Sequence, residues 1–201
     1  MTKIKLCGLR READIAAANE LSPDYAGFVL APGSRRAVPP AQAAVLRAML
    51  RPDIPAVGVF VDAPLVEVKR LLEDGTLDLA QLHGSEDADY VRALQNETGR
   101  QVIQAFRIRT EEDAARAAES PADYILLDAG AGDGRTFSWE LVSEIRRPYF
   151  LAGGLTPENA PLAVKQLHPY ALDVSSGIET DGWKDPEKMR AFVRAVRRTE
   201  A

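Results

Sequence analysis

One cysteine, Cys7, is all the thiol chemistry available to the 201-residue chain. No intrachain disulfide can form, which fits a reducing, cytoplasmic compartment. Histidine is equally scarce. Only His83 and His168 occur, and one cysteine with two distant histidines argues against a structural metal site. No apolar run approaches the roughly 18 residues that a membrane helix needs. The opening MTKIKLCGLRREAD turns charged too early for a secretory signal. Basic surplus is missing too: 25 Lys and Arg stand against 30 Asp and Glu, a net charge of −5. That balance disfavours non-specific nucleic-acid binding and leaves room for a local pocket that takes a small anion. With 46% hydrophobic and 27% charged residues, the composition is that of a folded globular chain. No linker interrupts it, so residues 1–201 are read as one domain.

What the sequence does have is an alternation of element types. Short β-rich apolar runs occupy 3–7, 25–30, 56–61, 79–83, 102–106, 124–128, 149–152 and 171–175. Helical patterns fill 11–20, 40–50, 64–73, 86–96, 111–119, 138–146, 157–166 and 186–198. Thr156-Pro157-Glu158 and Asp185-Pro186-Glu187 carry helix-start signals: a capping side chain, a proline, then an acid. Alternating strands and helices predict parallel strands joined by helical crossovers. Eight units of about 25 residues predict an α/β fold, a single-domain (β/α)8 TIM barrel with short loops. The rival is an open doubly wound sheet, but no G-x-G-x-x-G follows the first strand.

In such a barrel the chemistry sits at the C-terminal ends of the strands, where alternate side chains face the interior. Counting by twos puts Lys3, Lys5 and Cys7 inward, with Leu79, Gln81 and His83, then Tyr124, Leu126 and Asp128, then Ala171, Asp173 and Ser175. Cys7 is either a small buried hydrophobe or a base, the latter if its pKa is shifted modestly downward. Asp128 is either a loop-capping residue or a general acid in a partly apolar mouth. Strand eight closes onto strand one, so Lys5 and Asp173 are expected to form a buried ion pair, and Asp173 could also reach substrate hydroxyls. His83 is a satisfied strand-end histidine or a substrate contact, and His168, before Pro169, is ordinary surface. Gly153-Gly154 after strand seven and Ser176-Gly177 after strand eight fit a phosphate site of backbone N–H groups, with tight turns as the plainer reading. Arg36, in Ser34-Arg35-Arg36, suits a carboxylate or is simply solvated. Gly130, Gly132 and Gly134 form a lid or a permissive connection.

Taken in order, Lys5-Leu6-Cys7-Gly8, Gly27-Phe28-Val29, Ser34-Arg35-Arg36, Val57-Gly58-Val59-Phe60-Val61, Gln81-Leu82-His83-Gly84, Leu127-Asp128, Phe137-Ser138-Trp139, Ala152-Gly153-Gly154-Leu155 and Asp173-Val174-Ser175-Ser176-Gly177 resemble the phosphoribosylanthranilate isomerase family. The resemblance spans residues 3 to about 190. It implies a (β/α)8 barrel and an Amadori rearrangement in tryptophan biosynthesis that needs no cofactor and no metal. It further implies Asp128 as general acid, Cys7 as general base, Arg36 on the anthranilate carboxylate, Gly153, Gly154, Ser176 and Gly177 on the phosphate, and His83 and Asp173 near the ribose. The implied partner is a small phosphorylated substrate, not a nucleic acid or a membrane, for a monomer or homodimer. Leu9-Arg10 departs from the family's usual Ile-Thr and adds charge near the mouth. The loop after Asp128 is shorter than in many members. Another phosphosugar isomerase or epimerase on the same barrel, and a non-catalytic barrel that binds a phosphorylated ligand, are the competing readings. The first lacks the clustered histidines or the strand-one aspartate its members use; the second leaves the thiol and the carboxyl group without a purpose.

Overall fold

The computed structural model describes residues 1–128, 139–142 and 145–199. Strands β1 (Lys3–Cys7), β2 (Tyr25–Val29), β3 (Ala56–Phe60), β4 (Leu79–Leu82), β5 (Val102–Arg107), β6 (Tyr124–Asp128), β7 (Tyr149–Ala152) and β8 (Ala171–Val174) pair in sequence order into a closed barrel. Every pairing within it is parallel, and β8 closes on β1 with Lys5 opposite Asp173. Closure leaves no exposed edge.

Helices α1 (Glu12–Leu21), α2 (Pro40–Met49), α3 (Leu65–Glu73), α4 (Ala88–Thr98), α5 (Glu111–Ala118), α6 (Ala160–Leu167) and α7 (Pro186–Thr199) form the outer layer. The last illustrates why. Met189, Phe192, Val193 and Val196 recur at helical spacing and are all buried, so α7 lays one apolar stripe between α1 and α6. Between β6 and β7 the expected helix over 138–146 is described only as a 3-10 turn, Trp139–Val142. Ile145 and Arg146 follow outside any helix, while Ser138, Ser143 and Glu144, and Gly130, Gly132 and Gly134 with them, lie outside the described residues.

Strand parity sorts the core into two. Ile4, Leu6, Phe28 and Leu82 face the helices in the larger cluster. Tyr25, Val57, Leu79, Ile103, Leu126 and Phe150 fill the barrel. Its N-terminal end is an aromatic plug, with the Phe150 ring centroid 5.4 Å from Tyr25, 5.7 Å from Tyr124 and 5.6 Å from Tyr170. The tyrosine hydroxyls bond to one another, Tyr25 to Tyr170 at 3.0 Å and Tyr170 to Tyr124 at 3.3 Å. The Lys3 ammonium lies over two of the rings.

Three aspartates brace this same end. Asp24, Asp78 and Asp123 directly precede β2, β4 and β6, and each carboxylate accepts the first free N–H of the strand before: Ile4, Ala56 and Val102, at 2.9, 2.8 and 2.8 Å. One side chain thus satisfies a backbone donor that the barrel ladder leaves over.

At one start signal the sequence reading is off. Helix α6 begins at Ala160, after the expected position. The Thr156 hydroxyl accepts from the Glu158 and Asn159 N–H groups, while Asn159 accepts from the Thr156 N–H at 2.8 Å. This side-chain-closed turn outcompetes a helical first turn. The Asp185 carboxylate, by contrast, caps α7 as expected by accepting from Glu187 and Lys188.

Candidate active site

At the C-terminal end of the strands lies a cleft of about 330 Å³. Cys7, Arg36, His83, Asp128, Gly153, Gly154, Asp173 and Ser176 all line it. Gly177 does not; it packs behind. A Cβ there would sit 1.9 Å from the Leu155 carbonyl oxygen, so its bare backbone lets the loop after β8 press against the loop after β7. Gly153 and Gly154 both have positive φ. His168 is remote and exposed, in the left-handed cap of α6.

Cys7 ends β1 and is buried against Val29, Ala31 and Val59. These three give the cleft an apolar wall. The turn that follows needs Gly8, which has φ +80° and whose added Cβ would meet the Arg36 side chain at 2.7 Å. The glycine therefore lets Arg36 fold over the strand end beside the thiol.

Below the thiol sits Lys5, fully buried. Its ammonium has three protons to donate, and three acceptors surround it: Cys7 Sγ at 3.3 Å, Gln81 Oε1 at 2.6 Å and Asp173 Oδ2 at 3.0 Å. The ion pair expected from strand adjacency is present. Burial disfavours the Lys5 charge, but Asp173 and Cys7 outweigh it and the net shift is upward from an ordinary lysine. For Cys7 the shift runs opposite to the modest downward one on which the base reading was conditioned. Burial pushes the thiol up, and the pull of Lys5 and Lys184 in the other direction is too small to reverse it. Asp173 Oδ1 is buried with no hydrogen-bond partner among the described residues.

Asp128 ends β6 across the barrel. His83 Nε2 lies 3.3 Å from Asp128 Oδ2, and His83 Nδ1 lies 3.1 Å from Gln81 Nε2. His83 therefore sits between Asp128 and the barrel interior.

Sequence reasoning missed Gln81 as a functional residue, although its inward parity was visible. It also missed a hairpin. Strands β9 (Glu179–Thr180) and β10 (Trp183–Lys184) form a separate antiparallel pair after β8. The Glu179 carboxylate accepts from Arg36 Nε at 2.6 Å and Nη2 at 2.8 Å. Burial would push that carboxyl up, but Arg36 and Lys184 outweigh it and hold it down to about 2. The Lys184 ammonium donates to Glu179 and to both the carbonyl and the hydroxyl of Ser175. Arg10, expected to add charge at the mouth, instead braces this hairpin, bonding the Arg35 and Gly182 carbonyls and lying 4.1 Å over the Trp183 ring.

Comparison with known proteins agrees across the whole barrel. The family model for N-(5'phosphoribosyl)anthranilate (PRA) isomerase matches residues 4–195. An N-(5'-phosphoribosyl)anthranilate isomerase of Endomicrobium trichonymphae is 43% identical, covering 98% of this chain and 99% of its own. The crystal structure of phosphoribosyl anthranilate isomerase from Thermotoga maritima superposes with a TM-score of 0.91 at 33% identity, covering 98% of this chain and 99% of that one. A second solved structure of such an isomerase, at 32% identity, a TM-score of 0.88 and the same coverage, is a complex with reduced 1-(o-carboxyphenylamino)-1-deoxyribulose 5-phosphate. This chain belongs to the N-(5'-phosphoribosyl)anthranilate isomerase family.

Proposed function

We propose that the protein converts N-(5'-phosphoribosyl)anthranilate into 1-(2-carboxyphenylamino)-1-deoxyribulose 5-phosphate, in tryptophan biosynthesis, by general acid–base catalysis with Asp128 as acid and Cys7 as base. The observation that carries this reading is the placement of one thiol and one carboxyl group on β1 and β6, facing the same cleft. Asp128 gives a proton to the furanose ring oxygen as the C1–O bond breaks, and the nitrogen lone pair forms the Schiff base. Cys7 then removes the C2 proton as its thiolate, which the raised pKa makes the minor form at neutral pH, so the thiol has to lose its proton first. The C2–H electron pair becomes the C1=C2 bond of an enolamine, which tautomerises to the ketone. Acid and base stand on opposite walls, as a reaction that protonates one substrate atom and deprotonates another requires.

The surroundings fit the substrate's other groups. Glu179 takes the Nε and one Nη2 proton of Arg36, which orients the guanidinium and leaves its Nη1–Nη2 edge for the anthranilate carboxylate. Val29, Ala31 and Val59 supply the apolar wall beside it for the ring. Asp173 Oδ1 can accept a sugar hydroxyl. Backbone groups of Gly153, Gly154 and Ser176 hold the phosphate, and Gly177 acts from behind by keeping the two loops together.

The test is a coupled fluorescence assay. Anthranilate and phosphoribosyl pyrophosphate are joined by the preceding enzyme, and loss of the labile product is followed. Turnover by the parent and its collapse in Cys7→Ser and Asp128→Asn is the expected result. A folded parent that turns nothing over would overturn the reading.

A further inference from the structure

Lys5, Gln81 and His83 form an unbroken series of contacts between the two groups read above as base and acid. The distances are 3.3 Å from Cys7 Sγ to Lys5 Nζ and 2.6 Å from Lys5 Nζ to Gln81 Oε1. They continue at 3.1 Å from Gln81 Nε2 to His83 Nδ1 and 3.3 Å from His83 Nε2 to Asp128 Oδ2. Their chemistry fixes a direction. An ammonium only donates, so the Gln81 atom facing Lys5 has to be the amide oxygen. The amide nitrogen then faces His83 and can only donate, so His83 Nδ1 carries a lone pair. A neutral ring with a bare Nδ1 has its proton on Nε2, the atom that lies 3.3 Å from Asp128 Oδ2.

We propose that Lys5 and Gln81 are positioning residues that lock His83 in its Nε2–H tautomer, so that His83 donates a hydrogen bond to the Asp128 carboxyl group throughout the reaction. This rests on the reading of Asp128 as the acid. The chain orients and does not conduct, because a glutamine amide cannot relay a proton in this geometry. Its value is differential. A hydrogen bond to a carboxylate is about twice as strong as one to a neutral group. The bond from His83 therefore tightens as Asp128 gives up its proton, which favours the transfer and acts on the transition state more than on substrate binding. With Lys5 also bonded to Cys7 and Asp173, one buried ammonium aligns the base side and, through Gln81, the acid side.

The experiment uses the full chain with its histidine nitrogens labelled. Only His83 and His168 contribute, and His168→Asn identifies the second. The parent is expected to show His83 with a pyridine-like Nδ1 and a pyrrole-like Nε2. Gln81→Glu keeps an acceptor for Lys5 but presents a carboxylate oxygen to Nδ1, so the proton moves to Nδ1. In that variant kcat should fall about tenfold or more with KM changed less than about threefold, tenfold in rate being the effect of roughly 1.4 kcal/mol. Gln81→Met, which removes both bonds, should give mixed tautomers and a similar loss. If Gln81→Met fails to fold, Gln81→Glu still decides. A parent His83 protonated on Nδ1 would overturn the proposal, and so would a Gln81→Glu protein that keeps the parent's tautomer and kcat. A parent with the expected nitrogens but no isomerase turnover would instead overturn the proposed function, since the tautomer is read without substrate.

Discussion

The two ends of this barrel are built from the same eight strands and follow opposite rules. At the N-terminal end the interior is aromatic, with Phe150 packed among three tyrosines whose hydroxyls satisfy each other. At the C-terminal end, two residues further along each strand, the interior carries Lys5, Gln81 and Asp173, and then Cys7, His83 and Asp128 around an open cleft. Burial at one end is used to exclude water. At the other it makes a few charges expensive enough that each has to be held by named partners.

That contrast can be broken by substitution. The largest effect is expected from Cys7→Ser and Asp128→Asn, each of which should lower kcat by about 10²–10⁴-fold. Their melting temperatures should stay near the parent's, and a variant with full kcat removes that residue from the chemistry. Phe150→Ala tests the other end. It should cost roughly 3–5 kcal/mol in denaturant unfolding, while the folded fraction keeps its kcat. Loss of kcat per folded molecule would mean that the plug and the cleft are coupled. Arg36→Ala removes charge-assisted hydrogen bonds worth about 1.5–3 kcal/mol, and should raise KM by roughly ten- to hundredfold with a smaller effect on melting. A large fall in melting with KM unchanged would make Arg36 structural. Asp78→Ala strips one strand-end brace and should cost about 1–2 kcal/mol of stability, with steady-state kinetics unchanged.

The last prediction concerns acid. The Glu179 carboxyl is held down to about 2 in the folded protein, from an ordinary 4.5. A carboxyl with a depressed folded pKa stabilises the fold in full above its unfolded value and loses that contribution as pH falls through the folded one. The parent's advantage over Glu179→Gln should therefore be complete above about 4.5 and vanish toward about 2. An advantage that persisted under acid conditions below that window would sink the assignment.

Strand parity was the part of the sequence that carried furthest. Lys5 and Cys7, Gln81 and His83, and Asp173 all point where counting by twos places them, because the pleat leaves no other choice once the opposite face is buried against helices. The closed order of the strands followed from the unit count. The partners did not. Glu179 and Lys184 reach Arg36 and Ser175 only because a two-residue hairpin folds back over the loop after β8, and so short a hairpin has no periodicity to read. Gln81 looked like one more inward side chain until Lys5 and His83 arrived from the neighbouring positions in space and in sequence. The direction of the Cys7 shift was not legible for the same reason: the burial that pushes the thiol up comes from Val29, Ala31 and Val59, on β2, the loop after it and β3. The Thr156 signal was real, but it closed a turn before starting a helix.

Cys7 has a practical consequence as the chain's one cysteine. An alkylating reagent can modify a single thiol per polypeptide, and that thiol lies in the cleft. Mass spectrometry of the labelled protein then counts intact sites directly, with no need to remove competing cysteines first. Labelling should be slow and should quicken as pH rises past the ordinary cysteine range, because burial has pushed this thiol up. The same reaction, run with and without a candidate phosphorylated ligand, reports occupancy of the cleft through protection alone. The protein thus carries its own footprinting probe.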